Sequence, residues 1–198
     1  APGDILYIPP GFPHDGITHT TALNYSVGFR GPNGRDLLSS FADYALENDL
    51  GSEHYSDPDL TCRDHPGRVE GYELDRLRAM MIEMIQQPET FKQWFGSFVT
   101  TPRHELDIAP AEPPYEQDEV LDALLGGECL SRLSGLRVLN IGGSVFINSE
   151  PLEMSDPAAA DALCRYTTLG KNELGAALGN PLCVAELTAL INQGYWYF

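Results

Sequence analysis

The sequence GDILYIPPGFPH, residues 3–14, places a short apolar run directly before a turn rich in proline and glycine, with a histidine at its end. The apolar residues 5–8 are typical of a β-strand. Proline restricts backbone freedom, so the turn would hold the imidazole of His14 in a fixed position, as a metal ligand requires. A single histidine in such a turn is nevertheless more often a structural or surface residue. From these residues alone, both interpretations of His14 stay open.

A second run with β character, ALNYSVGF, follows at residues 22–29. Asn24 and Ser26 are two residues apart, so they lie on the same face of this predicted strand. There they could supply polar groups to the same cavity as His14. Two strands rarely form a stable sheet alone, so we expect both runs to belong to a larger β structure. The chain begins at Ala1, without an initiator methionine and directly before a core strand, which indicates part of a longer protein.

Three amphipathic stripes predict helices between residues 33 and 104. They consist of Leu37, Leu38, Phe41, Ala45 and Leu46, then Leu74, Leu77, Met81, Met84 and Ile85, then Phe91, Trp94, Phe95 and Phe98. Pro88 would end the second helix. Helices so apolar on one side must pack on each other, on the β domain or on a second subunit. An intrachain core and a dimer interface are equally compatible with this pattern.

The last part of the chain follows a proline-dense linker and has the mixed pattern of a small winged-helix-like domain. The predicted elements are a short helix near 118–125, a hairpin around Gly142-Gly143, and helices at 156–168, 171–178 and 181–193. From residue 106 onward there are 13 acidic and 4 basic residues. A winged helix with that charge favours a protein-contact module over a DNA reader.

Charge and cysteine usage argue against several classes of function. Lys+Arg total 12 against 29 Asp+Glu, and the net charge of -17 disfavours direct binding to phosphate backbones. The four cysteines contain no CxxC pair, so neither a zinc knuckle nor a disulfide framework is indicated. No apolar run approaches the length of a membrane span, and no signal-peptide pattern is present. These features predict a cytoplasmic protein without membrane contact.

The run that ends at His14 resembles the distal metal-histidine motif of Jumonji-type oxygenases, within the wider cupin superfamily. There, a Gly-Asp strand leads into a Pro-Pro-Gly-x-x-His turn near the end of a double-stranded β-helix, and the similarity continues through residues 24–30. Residues 91–96, 103–110 and 194–196 are similar to the bacterial ribosomal oxygenases in particular.

The resemblance implies an α+β fold in three parts. The distal strands of the β-helix would occupy residues 1–30, a helical dimerisation segment residues 31–105, and a winged-helix-like domain residues 106–198. A homodimer through the helical segment is implied with them. Members of this family hydroxylate an arginine side chain of a large-subunit ribosomal protein, so the implied partner is a ribosomal protein.

The same resemblance implies Fe(II) as cofactor and 2-oxoglutarate as co-substrate. In such sites two histidines and one carboxylate hold the iron and leave positions open for 2-oxoglutarate and O2. His14 matches the second histidine of that triad, and Asn24 matches a position that contacts the co-substrate in related enzymes. Ser26 would point into the same cavity.

The sequence departs from the family pattern at the other two metal ligands. They come from a His-x-Asp or His-x-Glu motif upstream of the distal histidine, and none of the remaining histidines (His19, His54, His65 and His104) has a carboxylate two residues on. We therefore expect this chain alone to be inactive. The alternatives are a non-catalytic dimerisation and partner-binding module, or a cupin metalloenzyme of different chemistry.

Overall fold

A computed structural model describes residues 3–28 and 31–198 of the chain. Within the first of these ranges the strands predicted at 5–8 and 22–29 are not formed, and that part of the prediction is wrong for this chain. The physical reason is the lack of a partner: a strand needs a neighbouring ladder for its backbone groups, and these two runs do not pair. Phe29, which ends the second predicted strand, and Arg30 lie outside the described residues.

The three helices predicted from the apolar stripes are confirmed. They are α1 (Gly34–Glu47), α2 (Gly71–Gln86) and α3 (Pro88–Thr100). The side chain of Asn33 caps α1, since its Oδ1 accepts from the backbone N–H groups of Arg35 and Asp36. Pro88 ends α2 as expected and begins α3, where its missing N–H costs no helical hydrogen bond.

An aromatic cluster joins α1 to α3. The rings of Phe41 and Trp94 meet edge to face with their centroids 5.2 Å apart, and Phe91 approaches Trp94 at 5.0 Å. Trp94 is buried, and its Nε1–H donates to Ser40 Oγ at 3.0 Å. The buried indole therefore keeps its polar group satisfied, and the aromatic stripe is used in an intrachain core.

The C-terminal part contains short strands between helices. Its elements are α4 (Gln117–Gly126), β1 (Leu130–Arg132), β2 (Val138–Ile141), β3 (Ser144–Ile147), β4 (Glu150–Leu152), α5 (Pro157–Arg165), β5 (Thr168–Leu169), α6 (Lys171–Leu174), a 3-10 helix (Gly175–Gly179), α7 (Pro181–Asn192) and β6 (Trp196–Tyr197). The strands form two antiparallel sheets, ordered β5-β1-β6 and β2-β3-β4. The predicted helices near 118–125 and at 181–193 are confirmed as α4 and α7. The region 156–168 instead ends in β5, and 171–178 is divided between α6 and the 3-10 helix.

The predicted hairpin is confirmed in its details. β2 and β3 pair with Ile141 opposite Ser144, so Gly142 and Gly143 form a two-residue loop. Both glycines have positive φ, 58° and 88°, as a type I′ turn requires. Asn140 Oδ1 also accepts from the N–H of Gly143 at 3.0 Å, which stabilises the turn.

One apolar core organises the C-terminal part. It includes Val120 and Leu124 from α4, Leu163 from α5 and Trp196 from β6, each with at most 1% of its surface exposed. Helix α7 packs on this core with one side, which carries its buried residues, while Leu182 and Ala189 on the other side are exposed. Within the described ranges, no helix is long and apolar enough to cross a membrane.

Helix α3 also packs across the β2-β3-β4 sheet. Gly96 faces the ring of Phe146, which is fully buried on β3. The buried hydroxyl of Thr100 donates to the carbonyl of Gly96 at 2.7 Å and accepts from the N–H of Ser149 at 3.1 Å. The end of α3 is thereby fixed to the β3–β4 turn, which joins the helical segment to the C-terminal core.

Candidate metal-histidine turn

The turn before His14 is a defined local structure. The N–H of Phe12 donates to the carbonyl of Pro9 at 3.3 Å, which closes a four-residue β-turn. Gly11 has φ +81°, the value that the third residue of a type II turn adopts. Pro10 at the second position restricts φ to the value that the same turn requires. The sequence Pro-Pro-Gly-Phe is therefore sufficient to explain why the chain turns here.

The imidazole of His14 is held by this turn through one of its two nitrogens. Nδ1 lies 3.2 Å from the carbonyl oxygen of Phe12. A carbonyl can only accept, so Nδ1 carries the hydrogen of this bond, and in the neutral imidazole Nε2 then keeps a free lone pair. Metal-ligating histidines commonly donate their other N–H to a backbone carbonyl in this way. Since His14 is exposed, its Nε2 is accessible to a metal and to ligands from elsewhere.

Asn24 and Ser26 are exposed as well, in the second run of the same segment. Among residues 3–28 and 31–198, no hydrogen bond joins either side chain to His14. The same ranges contain no group of three or more His, Cys, Asp or Glu side chains that could hold a metal ion. The described residues thus contain no complete metal site, and the roles of His14, Asn24 and Ser26 stay predictions.

A groove of about 890 Å³ begins where this segment meets the helices. One wall is α1, with the carboxylates of Asp36, Asp43 and Glu47. The opposite wall includes Arg137, whose guanidinium donates to the carbonyl of Val99 at 3.0 Å. The groove carries charges of both signs, with Arg103 and Arg137 facing the three carboxylates, so it does not select one class of ligand.

Ion pairs fasten the polar loop between α1 and α2 onto α2. The guanidinium of Arg63 donates to both carboxylate oxygens of Glu73, at 2.8 and 2.9 Å, and this hydrogen bonding holds the pKa of Glu73 at about 2. Arg76 bridges Asp57 at 2.5 Å and Asp59 at 3.1 Å. The polar side of α2 is therefore covered by its own loop.

The apolar side of α2 is open. None of its residues is buried. Leu74, Leu77, Met81 and Ile85 expose 52%, 47%, 61% and 44% of their surfaces. With this spacing they form one stripe along the helix, which is defined here as the α2 stripe. A continuous apolar stripe of this kind is a feature of a helix that packs on another surface.

Two family models match separate parts of the chain. The family described as ROXA-like winged helix matches residues 83–197, and the family described as JmjC domain matches residues 1–37. The ribosomal protein uL16 3-hydroxylase of Escherichia coli (strain K12) is 56% identical over 197 residues, which is 100% of this chain and 53% of that protein. A probable ribosomal oxygenase of Haemophilus influenzae is 27% identical over 132 residues, 62% of this chain and 32% of that protein.

Solved structures give the same result. The crystal structure of the Escherichia coli ribosomal oxygenase YcfD matches with a TM-score of 0.81 and 54% sequence identity, over 87% of this chain and 48% of that one. A structure of YcfD in complex with cobalt and 2-oxoglutarate matches with a TM-score of 0.80, 54% identity and the same coverage.

Fold and family matches together define an α+β protein in which a JmjC segment precedes a winged-helix module. The chain belongs to the ROXA-like winged-helix family. It spans about half the length of the Escherichia coli relative. The mixed fold class and the family predicted from the sequence are therefore confirmed.

Proposed function

We propose that this chain is the C-terminal part of an Fe(II)- and 2-oxoglutarate-dependent oxygenase that hydroxylates an arginine side chain of a large-subunit ribosomal protein. The observation that carries the proposal is the turn at residues 9–12, which binds Nδ1 of His14 and leaves Nε2 free for a metal. The similarity to a uL16 3-hydroxylase supports the reaction and the substrate class. The cobalt and 2-oxoglutarate complex of YcfD supports the cofactor and the co-substrate.

The residues of this chain fit the iron site in part. We assign His14 as one ligand of a triad of two histidines and one carboxylate, with the other two ligands in the part of the protein that precedes this chain. Asn24 and Ser26 would contact the 2-oxoglutarate carboxylates as hydrogen-bond donors. Bound iron with 2-oxoglutarate supplies the oxidising power for the hydroxylation, and the protein holds both in place. A single imidazole does not retain Fe(II) usefully, so we expect the isolated chain to be inactive.

The remaining parts would serve contacts with other proteins. We propose that residues 1–30 belong to the β-helix domain of the longer protein, with a dimerisation segment at 31–105 and a winged-helix-like partner module at 106–198. The acidic balance of the last region suits a basic ribosomal protein, not a nucleic acid. Such an enzyme would act in the cytoplasm on free or assembling ribosomal protein.

A hydroxylation assay with the full-length protein tests the reaction. We expect a mass gain of one oxygen atom on an arginine of recombinant uL16, dependent on both Fe(II) and 2-oxoglutarate. The measurement is tandem mass spectrometry of the digested substrate. A parallel reaction with residues 1–198 alone should leave the substrate unmodified. Modification without 2-oxoglutarate, or none under any condition, contradicts the proposed function.

The dimer is proposed to form through the α2 stripe. Its apolar residues are exposed in the single chain, and two-fold pairing of identical stripes would bury both at once. We expect Met81→Glu in the full-length protein to weaken the dimer by at least tenfold, since it places a charge in the buried stripe. Gln86→Glu is the control, because it adds the same charge at an exposed position of α2 that lies outside the α2 stripe. Sedimentation velocity measures both variants, and a dimer unaffected by Met81→Glu contradicts this interface.

A further inference from the structure

The proline-dense segment that the sequence predicts as a linker lies along the winged-helix core. Leu106 packs against the buried apolar cluster of that core. Further along, the N–H of Ala111 donates at 3.1 Å to the carbonyl of Asn192, the last residue of α7. A helix leaves its last four carbonyls without an intrahelical partner, and this bond satisfies one of them. The segment therefore completes the end of α7, and residues 103–116 are defined here as the strap.

The side chain of Asn192 also binds the strap. Its Oδ1 accepts from the N–H of Tyr115 at 2.8 Å, and its Nδ2 donates to the carbonyl of the same residue at 3.0 Å. A primary amide carries a donor and an acceptor side by side, so it pairs with both backbone groups of one residue, as a neighbouring β-strand does. With the bond to Ala111, Asn192 makes three hydrogen bonds to the strap.

The residues that follow α7 hold the strap at two more places. Gly194 has φ +80°, and a Cβ there would lie 2.7 Å from the carbonyl carbon of Ala109, so glycine is what lets the two backbones come this close. The ring of Tyr115 meets that of Phe198 edge to face, with the centroids 5.7 Å apart. Proline-rich linkers are only semi-rigid spacers by themselves, so these contacts are what fix the strap.

We propose that the strap is a separate cooperative unit of the fold, which opens and closes as a whole and is held closed by the amide of Asn192. It belongs to the connection between α3 and α4, residues 101–116. When the strap is closed, the part of this connection that is not attached to the core is short, at residues 101–105. When the strap opens, the whole connection becomes free, and the winged-helix core gains room to move against α3. The proposal does not depend on the iron site.

Hydrogen exchange of the full-length protein, read by mass spectrometry with residue resolution, tests this proposal first without any substitution. The amides of Ala111 and Tyr115 both donate to Asn192, so they should share one opening equilibrium. The amide of Leu187 lies in α7, and its side chain is 1% exposed in the core. Since that amide is freed only when the core unfolds, its protection should exceed that of the two strap amides by at least about tenfold.

Asn192→Ala tests the clasp itself. The substitution removes both bonds from the side chain to Tyr115 and leaves the carbonyl that accepts from Ala111. Two hydrogen bonds correspond to about a tenfold change in an opening equilibrium, so the Tyr115 amide should exchange about tenfold faster. The Ala111 amide should accelerate equally, although its own acceptor is still present, because the strap opens as a whole.

Two further variants separate the clasp from a general effect at this end of α7. Gln193→Ala is the matched control, since Gln193 is the exposed neighbour of Asn192 and its side chain makes no hydrogen bond within the described residues. Both strap amides should then exchange within twofold of the unsubstituted rate. Asn192→Asp keeps an acceptor for the Tyr115 N–H but has no donor for its carbonyl, so it should accelerate exchange nearly as much as alanine.

Three results would overturn the proposal. Equal protection of Ala111, Tyr115 and Leu187 in the unsubstituted protein would mean that the strap opens only when the core unfolds. Strap amides that exchange at the rate of an unfolded chain would make the segment a free linker. If Asn192→Ala accelerates Tyr115 alone and Ala111 keeps its protection, the side chain serves one local contact and the strap is not a unit. The first two comparisons need no variant to fold.

Discussion

Replacing His14 by alanine in the full-length protein should abolish coupled turnover of 2-oxoglutarate and hydroxylation of the ribosomal substrate. The change removes one of three proposed protein ligands, and we expect metal affinity to fall by more than about 100-fold. This loss exceeds the one expected when only a hydrogen bond to a ligating histidine is removed. The fold should be unaffected, since His14 is exposed and its only side-chain hydrogen bond within the described residues is to the Phe12 carbonyl. Succinate release and substrate mass measure the two half-reactions.

His19→Ala provides the control for this prediction. His19 is also exposed, lies five residues further along the same segment and follows no proline turn. Its removal should leave metal content and hydroxylation near the level of the unsubstituted protein. Undiminished hydroxylation in His14→Ala would sink the assignment of His14 as a ligand. Loss of activity in both variants, with metal retained, would point to a role in substrate binding.

The helices could be predicted because their signals are local. A stripe of apolar residues at helical spacing is readable without knowing what it packs on, and α1, α2 and α3 all follow from such stripes. The Gly142-Gly143 hairpin is equally local, because positive φ at two adjacent positions nearly requires glycine. Such local patterns do not identify the packing partners of Phe41 and Trp94. Their stripes predict burial, yet only the structure shows that they bury against each other.

The short strands could not be predicted because their partners are distant in sequence. β5 and β6 have two residues each, and both pair with β1 although one or more helices lie between them and β1 in the sequence. Two residues are too few to show the alternation of apolar and polar side chains that distinguishes a strand from a loop. The turn between β3 and β4 is a further example, since Asn148 and Ser149 adopt φ of 48° and 70° where glycine would be expected. There, the Thr100 hydroxyl binds the Ser149 N–H and favours a conformation that the local sequence does not.

At the candidate site, the sequence indicates a rigid turn but not its hydrogen bond. The prolines around Gly11 predict that the chain turns before His14, and the structure confirms this. The contact between Nδ1 and the Phe12 carbonyl depends on the direction of one peptide group, which residue types alone do not specify. The strands at 5–8 and 22–29 show the opposite case. Their residues have β character, but a strand forms only where another strand accepts its hydrogen bonds.

Gly96→Ala, which adds one methyl group to α3, should clearly destabilise the folded chain. A Cβ at Gly96 would lie 2.5 Å from both Cδ2 and Cε1 of Phe146, far inside van der Waals contact, and that ring is fully buried. Alanine is the better helix former by about 1 kcal/mol. Forcing α3 away from the sheet should outweigh that gain, and we expect a net loss of about 2 kcal/mol in the free energy of unfolding. Urea unfolding followed by tryptophan fluorescence measures it.

A control and a double variant test the reason for this loss. Gly126→Ala also adds a methyl group within a helix, α4, but nothing lies within 4 Å of its Cβ position, so it should be neutral or slightly stabilising. Phe146→Leu removes part of the ring that Gly96→Ala would strike. If the clash is the cause, the double variant should be more stable than the sum of the single effects by about 1 kcal/mol. Additive losses would mean that Gly96 matters for a reason other than its contact with Phe146. The close approach of α3 to the sheet would then depend on contacts other than the Gly96–Phe146 pair, among them the hydrogen bonds of Thr100.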